Sequence, residues 1–390
     1  MALPDPLLVY GPRSVSYDFG PAHPLTPRRF GPGISLLESL GAVPGLAPEP
    51  ASDEELGWIH DAAYIDAVKA FSMFPDGTAR AGIGPGDTPA FAGMHEASAA
   101  VAGGSLRAME AILRGDVLHA FHPGGGLHHA MRRRAGGFCV YDDPALAIAR
   151  ARRDGLRVLY IDLDVHHGDG VQMIHWDDPE VMTVSIHESG HALFPGTGFA
   201  NELGGTGAEG TAVNIPLDPG TGEIGWLEAL QMALPELASA FRPEILVSQH
   251  GADSHAFDPL AHLMVTTTAM GRAARLVDSL AHQHAGGRWL ATGGGGYDVY
   301  RVVPRAWAHV WLAQSHSAAN GDLSPAWTAR WADDAERYGQ APPPATLDDL
   351  ENAGLPYRPP QEHADARAAD IARRSAELAL GALRLRGALG

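Results

Sequence analysis

"RVLYIDLDVHHGDG", residues 157–170, decides how this chain folds. Val158, Leu159, Tyr160 and Ile161 form an apolar run too short for a helix and without polar alternation, the pattern of a strand covered on both faces. Directly after it the composition switches to carboxylates, imidazoles and glycine. The same switch is repeated along the chain: "VLHAF" at 117 leads into "HPGGGLHH", "VMTVSI" at 181 into "HESGH", "EILVSQ" at 244 into "HGADSH", and "RWLAT" at 288 into "GGGGYDVY". Helical patterns lie between several of these runs, among them "PALAIARARRDG" at 144, "GWLEALQMALPELASAF" at 225 and "MGRAARLVDSLAHQHAGG" at 270. Alternating strand and helix predicts an α/β fold: a central, mostly parallel sheet flanked by helices on both faces, with right-handed crossovers. Ligands of such sheets sit beyond the carboxyl ends of the strands, which is where all five chemical segments fall.

Composition narrows the chemistry. The 390 residues suffice for two average domains, although large open sheets use this length for one. With 45% apolar residues and no apolar run of about 18, the chain reads as globular and not membrane-spanning. The amino-terminal "MALPDPLLVYGPRSVSYDFG" lacks a basic segment, a continuous apolar stretch and a cleavage site, so the cytoplasm is the expected location. A single cysteine, Cys139, excludes intramolecular disulfides and Cys-rich zinc modules, so any metal must use His, Asp or Glu. Twenty histidines, several of them clustered, are a large supply of such ligands. The formal charge of -18 argues against general binding to nucleic acid or anionic membranes and suits a basic substrate or partner.

Two short motifs mislead. His187-Glu188-Ser189-Gly190-His191 matches H-E-x-x-H, which binds zinc when a helix sets both histidines one turn apart. Here it follows a β-branched run, contains Gly190 and meets Pro195-Gly196 soon after, so a strand end and loop are expected instead. Gly205-Thr206-Gly207-Ala208-Glu209-Gly210 fits G-x-G-x-x-G, but a strand-like "TAVNIPL" follows where a dinucleotide site needs a helix.

What survives is a constellation. Asp162, Asp164 and His166 alternate along an extended segment, so their side chains are expected on one side. Carboxylates at the end of an apolar strand are costly unless a cation or hydrogen bonds receive them; a solvated strand end with capping aspartates is the alternative. Asp253 supplies a further carboxylate from another strand end, and two carboxylates with one imidazole leave a coordination position open, as catalytic sites do. His128 and His129 approach the same edge through "PGGG". Alone they are ordinary loop residues; beside a metal, one imidazole serves as base and the other as acid or electrostatic partner, with Asp162 and Asp169 available to orient them. Tyr297, after four glycines, can donate its hydroxyl to a developing oxyanion, or merely start a helix. Together these parts read as metal-assisted amide hydrolysis without a nucleophilic Ser or Cys.

In the ordered blocks "GDTPAFAGMHEA", "GGGLHHAMRRRAGGFCVYDD", "IDLDVHHGDGVQ", "SIHESGHALFPGTG", "QHGADSHAFDPL" and "GGGGYD", the chain resembles the zinc-dependent histone deacetylase family of the arginase–deacetylase fold, in its bacterial branch of acetoin-utilisation proteins. The resemblance runs from about residue 23 to 311. It implies zinc on Asp164, His166 and Asp253, His128 and His129 as the acid/base pair backed by Asp162 and Asp169, and Tyr297 polarising the amide carbonyl. It further implies that Gly137, Phe138, Phe194 and Leu260 line an acyl-lysine tunnel, that Asp87 binds substrate backbone amides at the rim, and that Arg29 lies in an acetate-exit channel. A structural potassium ion is implied among Asp162, Asp164, His166, Ser185 and Ile186.

Two departures stand out. Asp142-Asp143 occupies the place where the family commonly has Asn-Asp, and Leu260 stands where polyamine-specific relatives carry a glutamate. The expected activity is hydrolysis of acetyl-lysine or a similar short acyl-lysine, with small acylated amines as the alternative. A ureohydrolase, which would need a second metal and more aspartates, and a silent acyl-lysine-binding protein are further readings. Fe²⁺ stays open beside Zn²⁺, because a site of two carboxylates and one imidazole is weakly selective. Oligomeric state is left open. Residues 1–316 are expected to form the catalytic domain, and 317–390 a Pro/Ala-rich extension ending in a helix packed on that domain.

Overall fold

The computed structural model describes residues 5–318, 321–349, 355 and 361–389. Its strands are β1 (Leu7–Val9), β2 (Pro44–Leu46), β3 (His119–His122), β4 (Val158–Asp162), β5 (Val181–Glu188), β6 (Ala212–Leu217), β7 (Ile245–Gln249) and β8 (Trp289–Thr292). Its helices are α1 (Phe30–Ser39), α2 (Asp53–Leu56), α3 (Ala62–Met73), α4 (Met94–Arg114), α5 (Asp143–Arg153), α6 (Asp169–Ile174), α7 (Glu223–Phe241), α8 (Thr267–His284), α9 (Val303–Gln314), α10 (Pro325–Arg337) and α11 (Gln361–Leu389). The strands form one sheet in the order β2-β1-β3-β8-β7-β4-β5-β6, every pair parallel.

The predicted apolar runs and helical patterns all appear, and the molecule is a single α/β domain. Strand alternation divides the core in two. Leu159 and Ile161 of β4 face α1, α7, α8 and α9, whereas Val158 and Tyr160 face α3, α4 and α5. Both faces are covered, which is why the strand sequences lack a polar phase. The sequence did not announce the short strands β1 and β2 that end the sheet on one side, nor the Ala- and Gly-rich α4.

Both misleading motifs resolve as the patterns around them predict. β5 continues through Glu188, whose carboxylate accepts the backbone N–H and ring Nδ1 of His262, each at 2.8 Å. The second motif is a turn leading into β6. Late in the chain, the Nε1 atoms of Trp327 and Trp331 in α10 both donate to Ser35 Oγ in α1 at 2.9 Å. In α11, Asp365 accepts the Gly222 N–H at the start of α7 at 2.6 Å.

Candidate active site

Parallel strands deliver their exit loops to one edge, and β3, β8, β7 and β4 are neighbours there. The loop after β3 carries His128 and His129. Buried Asp143 organises it by accepting Gly126 N–H at 2.9 Å, Leu127 N–H at 2.8 Å and Ser105 Oγ at 2.5 Å. Burial raises the Asp143 pKa to about 6 even against these hydrogen bonds.

His128 Nδ1 lies 2.8 Å from Asp162 Oδ2, His129 Nδ1 lies 2.7 Å from Asp169 Oδ1, and the two Nε2 atoms are 3.0 Å apart. Tyr160 also donates to Asp162 Oδ2 at 2.7 Å. The rings respond oppositely. Burial works against a charged His128, but Asp162, Asp164 and the Asp162 hydrogen bond outweigh it and raise the pKa to about 10. Burial and the neighbouring His128 lower His129 to about 4 despite Asp169.

Beyond β4 the chain departs from the expected straight alternation. The strand stops at Asp162, and two successive turns follow in which Asp162 Oδ1 accepts Asp164 N–H at 3.2 Å and Asp164 Oδ1 accepts His166 N–H at 3.0 Å. Short aspartate side chains capture the backbone two residues on, so the segment bends and Asp162 is turned to His128. Asp164 and His166 instead meet Asp253 from the loop after β7, with donor atoms within 4.8 Å of one another. His166 Nδ1 is 3.0 Å from Asp164 Oδ1 and 3.2 Å from Asp253 Oδ2. The second approach lacks hydrogen-bonding geometry, so Asp253 Oδ2 is buried without a partner. A buried, partnerless carboxylate oxygen beside a second carboxylate and an imidazole is the donor set of a divalent-metal site.

Asp164 Oδ2 accepts Gln249 Nε2 at 2.6 Å and Gly295 N–H at 2.9 Å, and Asp253 Oδ1 accepts Val165 N–H at 3.0 Å. A Cβ at Gly295 would overlap Asp253 Oδ2, so the glycine turn after β8 can close over these carboxylates only without side chains. That turn delivers Tyr297, whose N–H is fixed by Asp258 Oδ2 at 2.9 Å. Burial, then the Asp253 and Asp164 charges, push the Tyr297 pKa well above its usual value, so its hydroxyl keeps its proton.

These groups open into a cavity of about 290 Å³ walled mostly by apolar side chains, with Phe138, Phe194, Leu260 and Tyr297 around it. Phe138 holds a left-handed backbone, φ 67°, that a bulky residue adopts only when its surroundings enforce it. Here Tyr17 Oη donates to its carbonyl at 2.7 Å and its N–H reaches Thr88 Oγ1 at 3.2 Å. Asp87 at the rim accepts the Gly137 N–H at 2.9 Å, which occupies one of its oxygens in holding this loop. Arg29 is buried, spans the back of the glycine turn by donating to Gly294 O at 2.6 Å, and lies against Trp307. Ser185 pairs with Asp162 across β4 and β5, with Ile186 next along the strand.

The paired histidines, the group of Asp164, His166 and Asp253, and Tyr297 thus meet at one edge of a parallel sheet, and known proteins resemble this chain over most of its length. The histone deacetylase domain matches residues 23–314. The chain belongs to the histone deacetylase family. Within it the similarity is to bacterial proteins: it is 44% identical to the acetoin utilization protein AcuC of Bacillus subtilis (strain 168), over 84% of this chain and 86% of that one. It is 36% identical to AcuC of Staphylococcus xylosus, over 86% and 92%. The crystal structure of an HDAC homolog complexed with SAHA superposes with a TM-score of 0.79 at 29% identity, covering 94% of this chain and all of that one. The protein is therefore a hydrolase of the deacetylase type, and its family implies a metal cofactor and an acylated substrate. Among the described residues no helix is long and apolar enough to cross a membrane.

Three positioning residues escaped the sequence reading. Asp143 lay inside the quoted "VYDD", and Gln249 and Asp258 inside "QHGADSHAFDPL", but their roles depend on partners from other loops: backbone N–H donors for Asp143 and Asp258, and the Asp164 carboxylate, to which Gln249 Nε2 donates.

Proposed function

We propose that this chain is a zinc-dependent deacylase that hydrolyses the amide of acetyl-lysine or a similar short acyl-lysine. The observation that carries the reading is the pairing of the partnerless Asp253 oxygen, beside Asp164 and His166, with a narrow apolar cavity ending at the two histidines. Asp164, His166 and Asp253 would hold the metal. When bound, such an ion polarises the amide carbonyl and makes water more acidic.

The side chains then divide the work. His129, kept neutral, takes the proton of the attacking water at Nε2, with Asp169 fixing the proton on Nδ1. His128, kept protonated by Asp162, stabilises the negative charge that develops and supplies the proton that the lysine nitrogen needs as the carbon–nitrogen bond breaks. Tyr297 donates to the carbonyl oxygen as it becomes an oxyanion. Phe138 and Phe194 clasp the aliphatic lysine stem and exclude water from it, and Asp87 meets the substrate backbone with the lone pairs that Gly137 leaves free. Arg29 lies where released acetate would find a cation. Asp162, Asp164, His166, Ser185 and Ile186 would surround a structural potassium ion, which the pairing of Asp162 with Ser185 supports.

Leu260 on the cavity wall offers no charge to a second ammonium, which favours acyl-lysine over acetylpolyamines. The three-ligand group at this edge also favours one metal over the two of a ureohydrolase. The test is turnover of a fluorogenic acetyl-lysine peptide beside N-acetylated polyamines, with and without a hydroxamate chelator, on protein of known metal content. Hydroxamate-sensitive turnover of the peptide is expected; silence on both substrates with metal present would overturn the reading.

A further inference from the structure

A second histidine cluster stands at the opposite edge of the sheet. His119 opens β3 at its amino end, Asp278 and His282 lie one turn apart near the end of α8, and His316 follows α9. The three imidazole Nε2 atoms converge on one carboxylate: Asp278 Oδ1 is 3.6 Å from His119, 3.5 Å from His282 and 3.1 Å from His316. The three rings form a triangle with centroid separations of 5.2, 5.4 and 5.2 Å. One donor atom from each of the four residues lies within 4.8 Å of all the others.

His119 points to what belongs between them. It is 3% exposed, and its Nδ1 donates to Gln314 O at 2.7 Å, which leaves Nε2 as the bare lone-pair nitrogen. That nitrogen is buried without a hydrogen-bond partner and faces a carboxylate oxygen beyond hydrogen-bonding range. A backbone carbonyl behind a ring N–H, with the other nitrogen turned to a cluster of donors, is how metal-binding histidines are oriented. His316 takes the left-handed position, φ 51°, of the turn that closes α9, where Ser317 N–H donates to Leu312 O at 3.1 Å and His316 N–H to Ala313 O at 3.3 Å, and this turn brings its imidazole beside His282 of α8.

We propose that His119, Asp278, His282 and His316 form a second metal site, closed and structural, for a zinc-class divalent transition-metal ion. Three imidazoles and one carboxylate suit zinc, cobalt, nickel or copper and not magnesium or calcium. Four protein ligands leave no open coordination position, which makes the site structural and not catalytic. Bonds of about 2.0–2.1 Å require the donors to draw together, and His282 and His316, with side chains 33% and 38% exposed, have room to swing inward. The ion would tie the start of β3 to the ends of α8 and α9.

The test compares the untagged full-length chain with a His282→Gln/His316→Asn variant, asparagine being chosen because it tolerates the left-handed backbone. Both substituted side chains face solvent and lie outside the active site, so folding and acetyl-lysine turnover should match the parent. After loading with zinc and desalting, the parent should hold one equivalent more than the variant, a difference that does not depend on what the active site contains. With Co²⁺, the parent should show an additional visible absorption of tetrahedral type that the variant lacks. An Asp278→Asn chain should lose the same equivalent. Equal metal content in parent and variant, whether one equivalent or two, overturns the proposal.

Discussion

His128 Nε2 and His129 Nε2 face each other across 3.0 Å, each imidazole anchored from behind by a different buried aspartate. Their environments differ: Asp162 and Asp164 overcome burial at His128 and keep it charged, whereas burial and the His128 charge keep His129 neutral. The pair is therefore asymmetric at neutral pH, a donor beside an acceptor, which amide hydrolysis requires.

His129→Ala should lower kcat by about two to four orders of magnitude, the range for loss of a positioned base. Metal content should be unchanged, because His129 is not among the three grouped ligands. A variant within tenfold of the parent rate would remove His129 from the proposed role.

Tyr297→Phe removes one hydroxyl from the cavity wall and leaves the ring that packs against Phe138. Turnover should fall by about two to three orders of magnitude, the usual cost of one oxyanion donor. Since such a donor acts on the transition state, the loss should appear in kcat with KM little changed. Near-parental kcat would exclude the proposed contact.

The sheet and the cluster of chemistry at its edge were legible in the sequence because a strand buried on both faces must be apolar throughout, and the switch to Asp, His and Gly then marks its carboxyl end. On that basis Asp162, Asp164, His166 and Asp253 could be placed at one edge, and the family resemblance singled out Asp164, His166 and Asp253 among them. The bend after Asp162 was not legible, since it depends on side chains capturing the backbone two residues on. Nor was the role of Asp87 in holding Gly137, or the gathering of His119, Asp278 and His316, whose neighbourhood exists only once β3, α8 and α9 are packed.

Asp142 is fully buried at the start of α5, where Oδ1 caps the helix by accepting Ala145 N–H at 2.8 Å and Oδ2 has no partner. Burial pushes its pKa well above the carboxylate range, against the capping bond. The native state thus holds this proton more tightly than the unfolded chain, whose carboxyl titrates near 3.9. Its contribution to stability is intact below that value and is lost as pH rises toward the folded pKa. Asparagine keeps the cap and does not titrate. Asp142→Asn should therefore gain stability relative to the parent between pH 5 and pH 8, by up to about 1.4 kcal/mol per pH unit, the linkage of one group protonated only in the folded state. Urea unfolding at both pH values decides it; a gap that does not grow with pH would contradict the assignment.

His175 gives the opposite sign. It is buried behind α6 with Nε2 3.2 Å from Ala145 O, and burial lowers its pKa to about 4 although that hydrogen bond and Asp178 favour the charge. The unfolded chain takes up this proton near pH 6.5 and the folded one does not, so the stability His175 contributes is present above 6.5 and lost as pH falls toward 4. Other buried groups titrate in the same interval, some in the opposing direction, among them Asp143 near 6. A comparison with His175→Gln cancels them, because glutamine can donate to Ala145 O and carries no titrating proton. Between pH 7.5 and 5.0 the variant should gain about 2 kcal/mol on the parent, the linkage expected for one group moved from 6.5 to 4. Equal pH dependence of the two unfolding free energies would mean that His175 is protonated in the folded protein.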